Sequence, residues 1–118
     1  MAESAHDDEF RVCGIDDVEP GSALRVDTEG LRLAVVRIGD DWYVVGDRCS
    51  HEDYSLSEGF VEEDDCEIEC PKHGSAFDLR TGDVRTLPAT QPIPTYDVRV
   101  DGSDVLVRPV PANGVEPQ

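Results

Sequence analysis

Two short stretches decide how this sequence is interpreted, namely Cys49-Ser50-His51 and Cys70-Pro71-Lys72-His73-Gly74-Ser75-Ala76-Phe77-Asp78. Each places a cysteine shortly before a histidine, and 18 residues lie between His51 and Cys70. Each also falls where a predicted strand ends and a loop begins, so a hairpin would bring the two loops together. Two thiolates and two imidazoles at one place form a borderline-soft donor set that suits zinc or iron.

The spacing within each stretch bears on which metal fits. Zinc sites with two cysteines and two histidines usually take like ligands from one segment, with two or more residues inside the cysteine pair. Here each segment mixes the types, and the one-residue gap between Cys49 and His51 is tight for a single tetrahedral ion. A two-iron cluster lets each loop send its cysteine to one iron and its histidine to the other. We therefore expect a 2Fe-2S centre with two cysteine and two histidine ligands, and keep a zinc-bound interaction module as the alternative.

Because of these residues, the chain resembles the Rieske-type ferredoxins over a core from about Val12 to Val110. The similarity is sharpest in residues 49–51, 55–59 and 70–78. It implies an all-β Rieske fold of three antiparallel sheets, in which a small cluster-binding subdomain is inserted into a basal antiparallel β-barrel or sandwich.

The resemblance also implies a role for each candidate ligand. Cys49 and Cys70 would hold the inner ferric iron, and His51 and His73 would hold the solvent-facing iron through ring nitrogens. Pro88, within Leu87-Pro88-Ala89, would belong to the loop that covers the cluster.

Three positions depart from the pattern of respiratory or high-potential members of this family, and a fourth matches it. Respiratory Rieske proteins carry two further cysteines that join the cluster loops by a disulfide, whereas this sequence has Tyr54 and Lys72 there, so no such bridge can form. Ser75 matches a serine whose hydroxyl hydrogen-bonds cluster sulfur in high-potential members, but Phe77 replaces the tyrosine that supplies a second donor. With one donor missing, we expect a potential toward the lower part of the roughly −150 to +300 mV Rieske range.

Length and charge restrict the possible functions. The 118 residues fit one domain, and 10 Lys plus Arg against 27 Asp plus Glu give a net charge of −17 that would repel nucleic acids and anionic membranes. No apolar run approaches the roughly 20 residues of a membrane span, and the acidic N-terminus lacks the features of a secretory signal. We therefore expect a cytoplasmic protein with no nucleic-acid or membrane partner.

We expect the chain to divide into a flexible acidic tail at residues 1–9, a Rieske domain at 10–110 with its cluster-binding subdomain at about 47–90, and a flexible tail at 111–118. Short strands separated by turn signals predict an all-β domain without a long helix. The expected strands and turns are hairpins 31–38 with 42–45 and 96–100 with 105–110, a turn at 80–83 after strand 76–79, and an acidic turn at 62–65 between 60–61 and 66–69.

Other reactive side chains receive a structural interpretation. Cys13 and Cys66 have no partner in a ligand pattern, and a free cysteine commonly acts as a small buried hydrophobic residue. His6 lies in the acidic tail without a nearby ligand and is expected to be solvated. The acidic run at residues 52–69 is either a solvated face or a docking surface for a partner with a basic face.

The sequence therefore predicts a soluble one-electron carrier rather than an enzyme. It has no G-x-G-x-x-G motif and no candidate for a 2-His-1-carboxylate iron site, so no nucleotide or small-molecule substrate is expected. The resemblance implies a flavin-dependent ferredoxin reductase as electron donor and a terminal oxygenase or similar acceptor, with ring-hydroxylating dioxygenases of the phenylpropionate or biphenyl type as the leading system. The alternatives are a Rieske ferredoxin associated with SUF-type iron-sulfur assembly and the small subunit of assimilatory nitrite reductase.

Overall fold

A computed structural model describes residues 9–28, 30–50, 54–72, 74–87 and 89–116. Within these ranges the chain forms ten strands and two short 3₁₀ helices, Ile15–Asp17 and Leu56–Glu58. The strands are β1 Phe10–Gly14, β2 Ser22–Thr28, β3 Leu31–Ile38, β4 Asp41–Gly46, β5 Phe60–Glu62, β6 Glu67–Glu69, β7 Ala76–Asp78, β8 Val84–Thr86, β9 Thr95–Asp101 and β10 Asp104–Pro111.

The strands form two antiparallel sheets, one with the order β1-β10-β9-β4-β3-β2 and one with the order β5-β6-β7-β8. The all-β Rieske architecture expected from the sequence is confirmed, but the described residues contain two sheets where three were expected. The reason is that the base is continuous: β4 and β9 pair at Val44 with Tyr96 and at Val45 with Thr95. These two residue pairs join two three-stranded halves into one six-stranded sheet.

The predicted hairpins lie where the turn signals placed them. β3 pairs with β4 and β9 with β10. The acidic turn joins β5 to β6 at residues 63–66, one residue later than predicted, because Glu62 ends β5 and pairs with Glu67. Strands β1, β2 and β8 were not predicted. Cys66 was expected to begin a strand, but it ends the turn with a φ of 56°, and β6 begins at Glu67.

Strand β3 is buried on both faces, and it separates two hydrophobic cores. Ala34 and Val36 pack in one core, whereas Leu33 and Val35 point to the opposite face and pack in the other. A strand buried on both sides reads as a continuous apolar run, which is why residues 31–38 lack the alternation of a half-exposed strand. We call the core between the two sheets the upper core, and the core within the six-stranded sheet the base core.

The predicted boundaries of the tails and of the inserted subdomain stay predictions. Among the described residues that follow β10, Asn113 contacts the body of the protein: its side-chain nitrogen donates to the carbonyls of Thr81 and Ile93, both at 2.9 Å. Its side-chain oxygen accepts a hydrogen bond from the Thr95 backbone at 3.2 Å. The segment after β10 is therefore tied to both sheets. None of the helices in the described ranges is long and apolar enough to cross a membrane.

Candidate metal centre

The two cysteine loops have the same hydrogen-bonded frame. In the first loop, residues 49–54, the Cys49 N–H donates to the Tyr54 carbonyl at 3.0 Å. In the second loop, residues 70–75, the Cys70 N–H donates to the Ser75 carbonyl at 2.7 Å. Each cysteine thus donates to the residue five positions later, so both loops are six-residue closures with a cysteine at the start.

The structure brings the two loop cysteines together in one core, places Cys66 at the edge of that core, and places Cys13 in the other core. Cys49 and Cys70 are each 2% exposed and pack in the same upper core. Cys13 packs in the base core, where burial raises the pKa of its thiol, and Cys66 lies half-buried in the turn before β6. All four are free thiols. Two buried thiols on the two loops are therefore available to one site, and the absence of a metal role for Cys13 and Cys66 stays a prediction.

Both loops are tied to a third segment that follows Pro88. The Ser50 hydroxyl of the first loop donates to the Gln91 carbonyl at 2.5 Å. The Ser75 hydroxyl of the second loop accepts a hydrogen bond from the Ala89 N–H at 3.0 Å. The residues after Pro88 thus connect the two loops, which fits the role expected for this segment.

Three of the predicted site residues, His51, His73 and Pro88, lie outside the described residues. Their assignment as ligands and as part of the covering loop stays a prediction. In the described part of the chain, no group of three or more metal-ligating side chains occurs. Of the four predicted ligands, Cys49 and Cys70 are the two that lie within the described residues.

The two residues that the resemblance links to the reduction potential, Ser75 and Phe77, are both fully buried. Ser75 is 0% exposed, and because its oxygen accepts from Ala89, its own proton remains available for donation. Phe77 is also 0% exposed and packs in the upper core on β7. It presents an apolar ring where a tyrosine would present a hydroxyl, so its side chain offers no hydrogen-bond donor.

A buried carboxylate that the sequence analysis missed anchors the first loop. Asp47 is 0% exposed, and its Oδ1 accepts a hydrogen bond from the Ser57 N–H at 2.6 Å. Arg25 and Arg32 lie 3.8 and 3.9 Å from Oδ2 and also donate to the Ser55 hydroxyl. Burial raises the pKa of Asp47, although the Ser57 hydrogen bonds oppose this. These contacts join residues that precede the first loop to residues that follow it. The feature of the sequence that could have indicated them is an aspartate directly after an apolar strand.

Gly59 allows the start of β5 to pass close to the end of β6. A Cβ at this position would lie 1.8 Å from the Glu69 carbonyl oxygen and 3.1 Å from Pro71 Cδ. Its φ of −89° is ordinary, so the requirement is for space rather than for a left-handed backbone. Because Glu69 directly precedes Cys70, this close approach helps to place the second cysteine.

The side chains of Tyr54 and Lys72 meet between the two loops. Lys72 Nζ donates to Tyr54 Oη at 3.1 Å and lies 5.1 Å from the centre of the tyrosine ring. These are the positions that the sequence analysis singled out because they hold no cysteines. A polar contact therefore spans the two loops at that point.

Charged groups of the four-stranded sheet are fixed by a buried aspartate on β7. Asp78 accepts from Arg85 at 2.7 Å and from the Arg80 side chain at 3.3 Å. Burial by itself would raise the pKa of Asp78, but these hydrogen bonds, with one from the Arg80 backbone, lower it to about 2. The Asp78 carboxylate therefore stays charged within the four-stranded sheet, whose strand β6 leads directly to Cys70.

The donor set agrees with an iron-sulfur cluster. Thiolates are the usual protein ligands of such clusters. Here two buried thiols lie on two loops of equal size, and both loops are braced by the same third segment. A profile described as the Rieske [2Fe-2S] domain matches residues 8–97, which is most of the chain. The chain belongs to the Rieske [2Fe-2S] family. Its cofactor is one 2Fe-2S cluster with cysteine and histidine ligands.

Two of the known proteins similar to this Rieske domain are ferredoxins of dioxygenase systems. The 3-phenylpropionate/cinnamic acid dioxygenase ferredoxin subunit of Shigella boydii serotype 4 (strain Sb227) is 46% identical over 95 residues, covering 80% of this chain and 88% of the relative. The structure of the ferredoxin of carbazole 1,9a-dioxygenase from Nocardioides aromaticivorans IC177 is 40% identical, with a TM-score of 0.83, covering 86% of this chain and 98% of that one.

A second solved structure contains a similar ferredoxin with its electron acceptor. It is a complex of reduced oxygenase and oxidized ferredoxin in carbazole 1,9a-dioxygenase, and its ferredoxin is 40% identical. The TM-score is 0.78, and the match covers 86% of this chain and 93% of that chain. The relatives are thus electron-transfer components that serve a separate catalytic protein.

Proposed function

We propose that this Rieske protein is the ferredoxin of a multicomponent dioxygenase system, which accepts one electron at a time from a flavin-dependent ferredoxin reductase and delivers it to a terminal oxygenase. The observation that carries the proposal is the pairing of loops 49–54 and 70–75 around two buried thiols. When bound, the 2Fe-2S cluster supplies reversible one-electron chemistry. The chain itself transforms no substrate, and its electron acceptor performs the oxygenation.

The proposed ligands are Cys49 and Cys70 for one iron and His51 and His73 for the other. The burial of both thiols supports an inner position for the iron that they bind. Pro71 and Lys72, which directly precede His73, are exposed, and this supports a histidine side that faces the partner. The ring N–H groups of the two histidines would then be able to titrate with the redox state.

A direct test combines metal analysis with spectroscopy of anaerobically purified protein, oxidised and then reduced with dithionite. We expect about two irons per chain, a red-brown colour and a reduced EPR signal of low average g. Cys49→Ser should lose the cluster, whereas Cys13→Ser, which removes a thiol from the base core, should keep its iron. A colourless protein that holds one zinc ion would overturn the electron-transfer function and favour an interaction module.

The histidine assignment has its own test. His51→Cys and His73→Cys should each lower the potential, because an anionic thiolate stabilises ferric iron, and each should remove the proton coupling of the replaced ligand. Potentials measured across a pH series would show this as a flatter profile. A pH profile equal to that of the unmodified protein would contradict the assignment.

We also propose that the acidic turn steers a partner with a basic face. Residues 62–65 are four exposed carboxylates in a row. They lie beyond Glu67, which is three strand residues, about 10 Å, from Cys70. At that distance the turn acts on the rate of encounter through long-range attraction rather than through contacts beside the cluster.

Reversal of charge tests this role of the acidic turn. Asp64→Lys with Asp65→Lys should slow electron transfer to a terminal oxygenase at low salt, and the difference should shrink as salt is added. The matched control is Asp97→Lys with Glu116→Lys, which makes the same change in net charge on exposed residues of β9 and the C-terminal segment. Equal rates for both double variants would make the turn an ordinary solvated surface.

We retain the cytoplasm as the expected location.

A further inference from the structure

The single lysine of this sequence lies in the second cysteine loop. The other nine basic residues are arginines, and the chain also contains 27 acidic residues. Lys72 is exposed, yet its ammonium group is engaged on the side chain of Tyr54. Its position between the two loops distinguishes it from the arginines that pair with acids along the strands.

The contact has two components that act on the same ammonium group. Nζ donates to Tyr54 Oη at 3.1 Å, within the range of a hydrogen bond. It also lies 5.1 Å from the ring centre, within the roughly 6 Å over which a cation is attracted to an aromatic ring. Together they fix the long lysine side chain across the gap between the loops.

Both partners occupy positions that bear on the cysteines. Tyr54 is the residue whose carbonyl accepts from the Cys49 N–H, so its backbone closes the first loop while its side chain reaches the second. Lys72 lies between Cys70 and Ser75, the two residues that close the second loop. A separation of the loops would therefore break the Tyr54–Lys72 contact, and the contact opposes that separation.

We propose that Lys72 and Tyr54 form a clasp that holds the two cysteine loops together and slows the loss of the cluster. Both are positioning residues, because they act through the loops rather than as ligands. This proposal rests on the proposed function in one respect, namely that both loops contribute ligands to one cluster. A cluster held from two loops leaves the protein when the loops move apart, so a contact between them lowers the rate of loss.

The experiment uses the loaded protein and follows visible absorbance in excess iron chelator. Lys72→Met and Tyr54→Leu should each lose the cluster about two- to five-fold faster, the range that a cation–π contact at an exposed site supports. The double variant should be no faster than either single variant, because both changes remove the same contact. Lys72→Arg keeps the cation and should restore the rate. Arg108→Met, which removes one exposed charge from β10, is the matched control.

Acetylation gives an independent measurement without any change of sequence. Because Lys72 is the only lysine, an amine-specific reagent modifies this side chain and the N-terminus alone, and mass spectrometry counts the two products. Acetylated protein should lose its cluster as fast as Lys72→Met, with an unchanged EPR spectrum before the loss. If Lys72→Met cannot be loaded with a cluster, the rate of cluster loss from the acetylated protein still tests the clasp.

Two results would overturn the clasp. The first is a rate of cluster loss in the single variants and the acetylated protein equal to that of the control. The second is an additive effect in the double variant, which would mean that Lys72 and Tyr54 act separately. Iron analysis of the unmodified protein is done first. If it holds no 2Fe-2S cluster the proposed function fails, whereas a loaded protein with unaffected variants refutes the clasp alone.

Discussion

The hydroxyl of Ser75 should raise the reduction potential, and the substitution Ser75→Ala tests this. The side chain is fully buried at the end of the second loop, and its oxygen accepts from the Ala89 N–H at 3.0 Å. Because the oxygen is the acceptor in that bond, the hydroxyl proton is available to a second group. The proposed acceptor is a sulfur of the cluster, whose negative charge grows on reduction.

Two effects of this substitution can be given a magnitude from general energetics. Loss of the hydroxyl leaves the buried Ala89 N–H without its partner, which costs about 1–3 kcal/mol of stability. If reduction strengthens the second hydrogen bond by about 1 kcal/mol, its removal lowers the potential by about 40 mV, because a factor of ten in a one-electron equilibrium is 59 mV, or about 1.4 kcal/mol. The two effects are measured separately.

Ser50→Ala is the matched control. The Ser50 hydroxyl lies on the first loop and contacts the same third segment, but it donates its proton to the Gln91 carbonyl. That proton is already used, so removing it should leave the potential unchanged while loosening the loop. A redox titration of both loaded variants, followed by visible absorbance, compares them directly. Equal potentials for Ser75→Ala, Ser50→Ala and the unmodified protein, with intact clusters, would refute the reasoning.

Two further predictions concern the sheet that carries the second loop. Gly59→Ala should abolish cluster loading, because its Cβ would lie 1.8 Å from the Glu69 carbonyl oxygen. In the control Gly114→Ala, the φ of 78° costs roughly 1–2 kcal/mol of backbone strain, but the Cβ meets nothing within 4 Å, so this variant should keep its iron. Asp78 has a pKa lowered to about 2, so its ion pair with Arg85 contributes stability above pH of about 4, and that contribution falls as pH approaches 2. Urea unfolding of the loaded protein should show a difference of about 2 kcal/mol between it and Asp78→Asn near pH 6 that shrinks toward pH 3; a constant difference would contradict this.

The sequence predicted those parts of the fold whose signals are local. The turn at Gly39-Asp40 and the one at Gly102-Ser103 interrupt β-branched runs, so both long hairpins were found. β2, Ser22–Thr28, was missed because its residues are mostly half-buried and offer neither a clear alternation nor a continuous apolar run. Cys66 was placed in a strand because the sequence carries no sign that a cysteine there adopts a left-handed backbone.

For the candidate site, the sequence predicted the chemistry but not its support. The spacing of Cys49 and Cys70 from their histidines is a local pattern with few interpretations. The anchors are long-range: Asp47 reaches Ser57 across the first loop, and Asn113 reaches Thr81, 32 residues away. Such partners are chosen by the three-dimensional packing, so a single sequence does not reveal them.

The two cores explain how a small cluster site is built into a chain of this length. Cys49 and Cys70 pack in the upper core, which shares β3 and β4 with the base core, because neighbouring residues of these strands point to opposite faces. A change that shifts β3 therefore acts on both cores at once. The six-stranded sheet leads through β4 to Cys49, whereas β6 of the four-stranded sheet leads directly to Cys70. Precise placement of the two cysteines thus depends on how the two sheets pack against each other across the upper core.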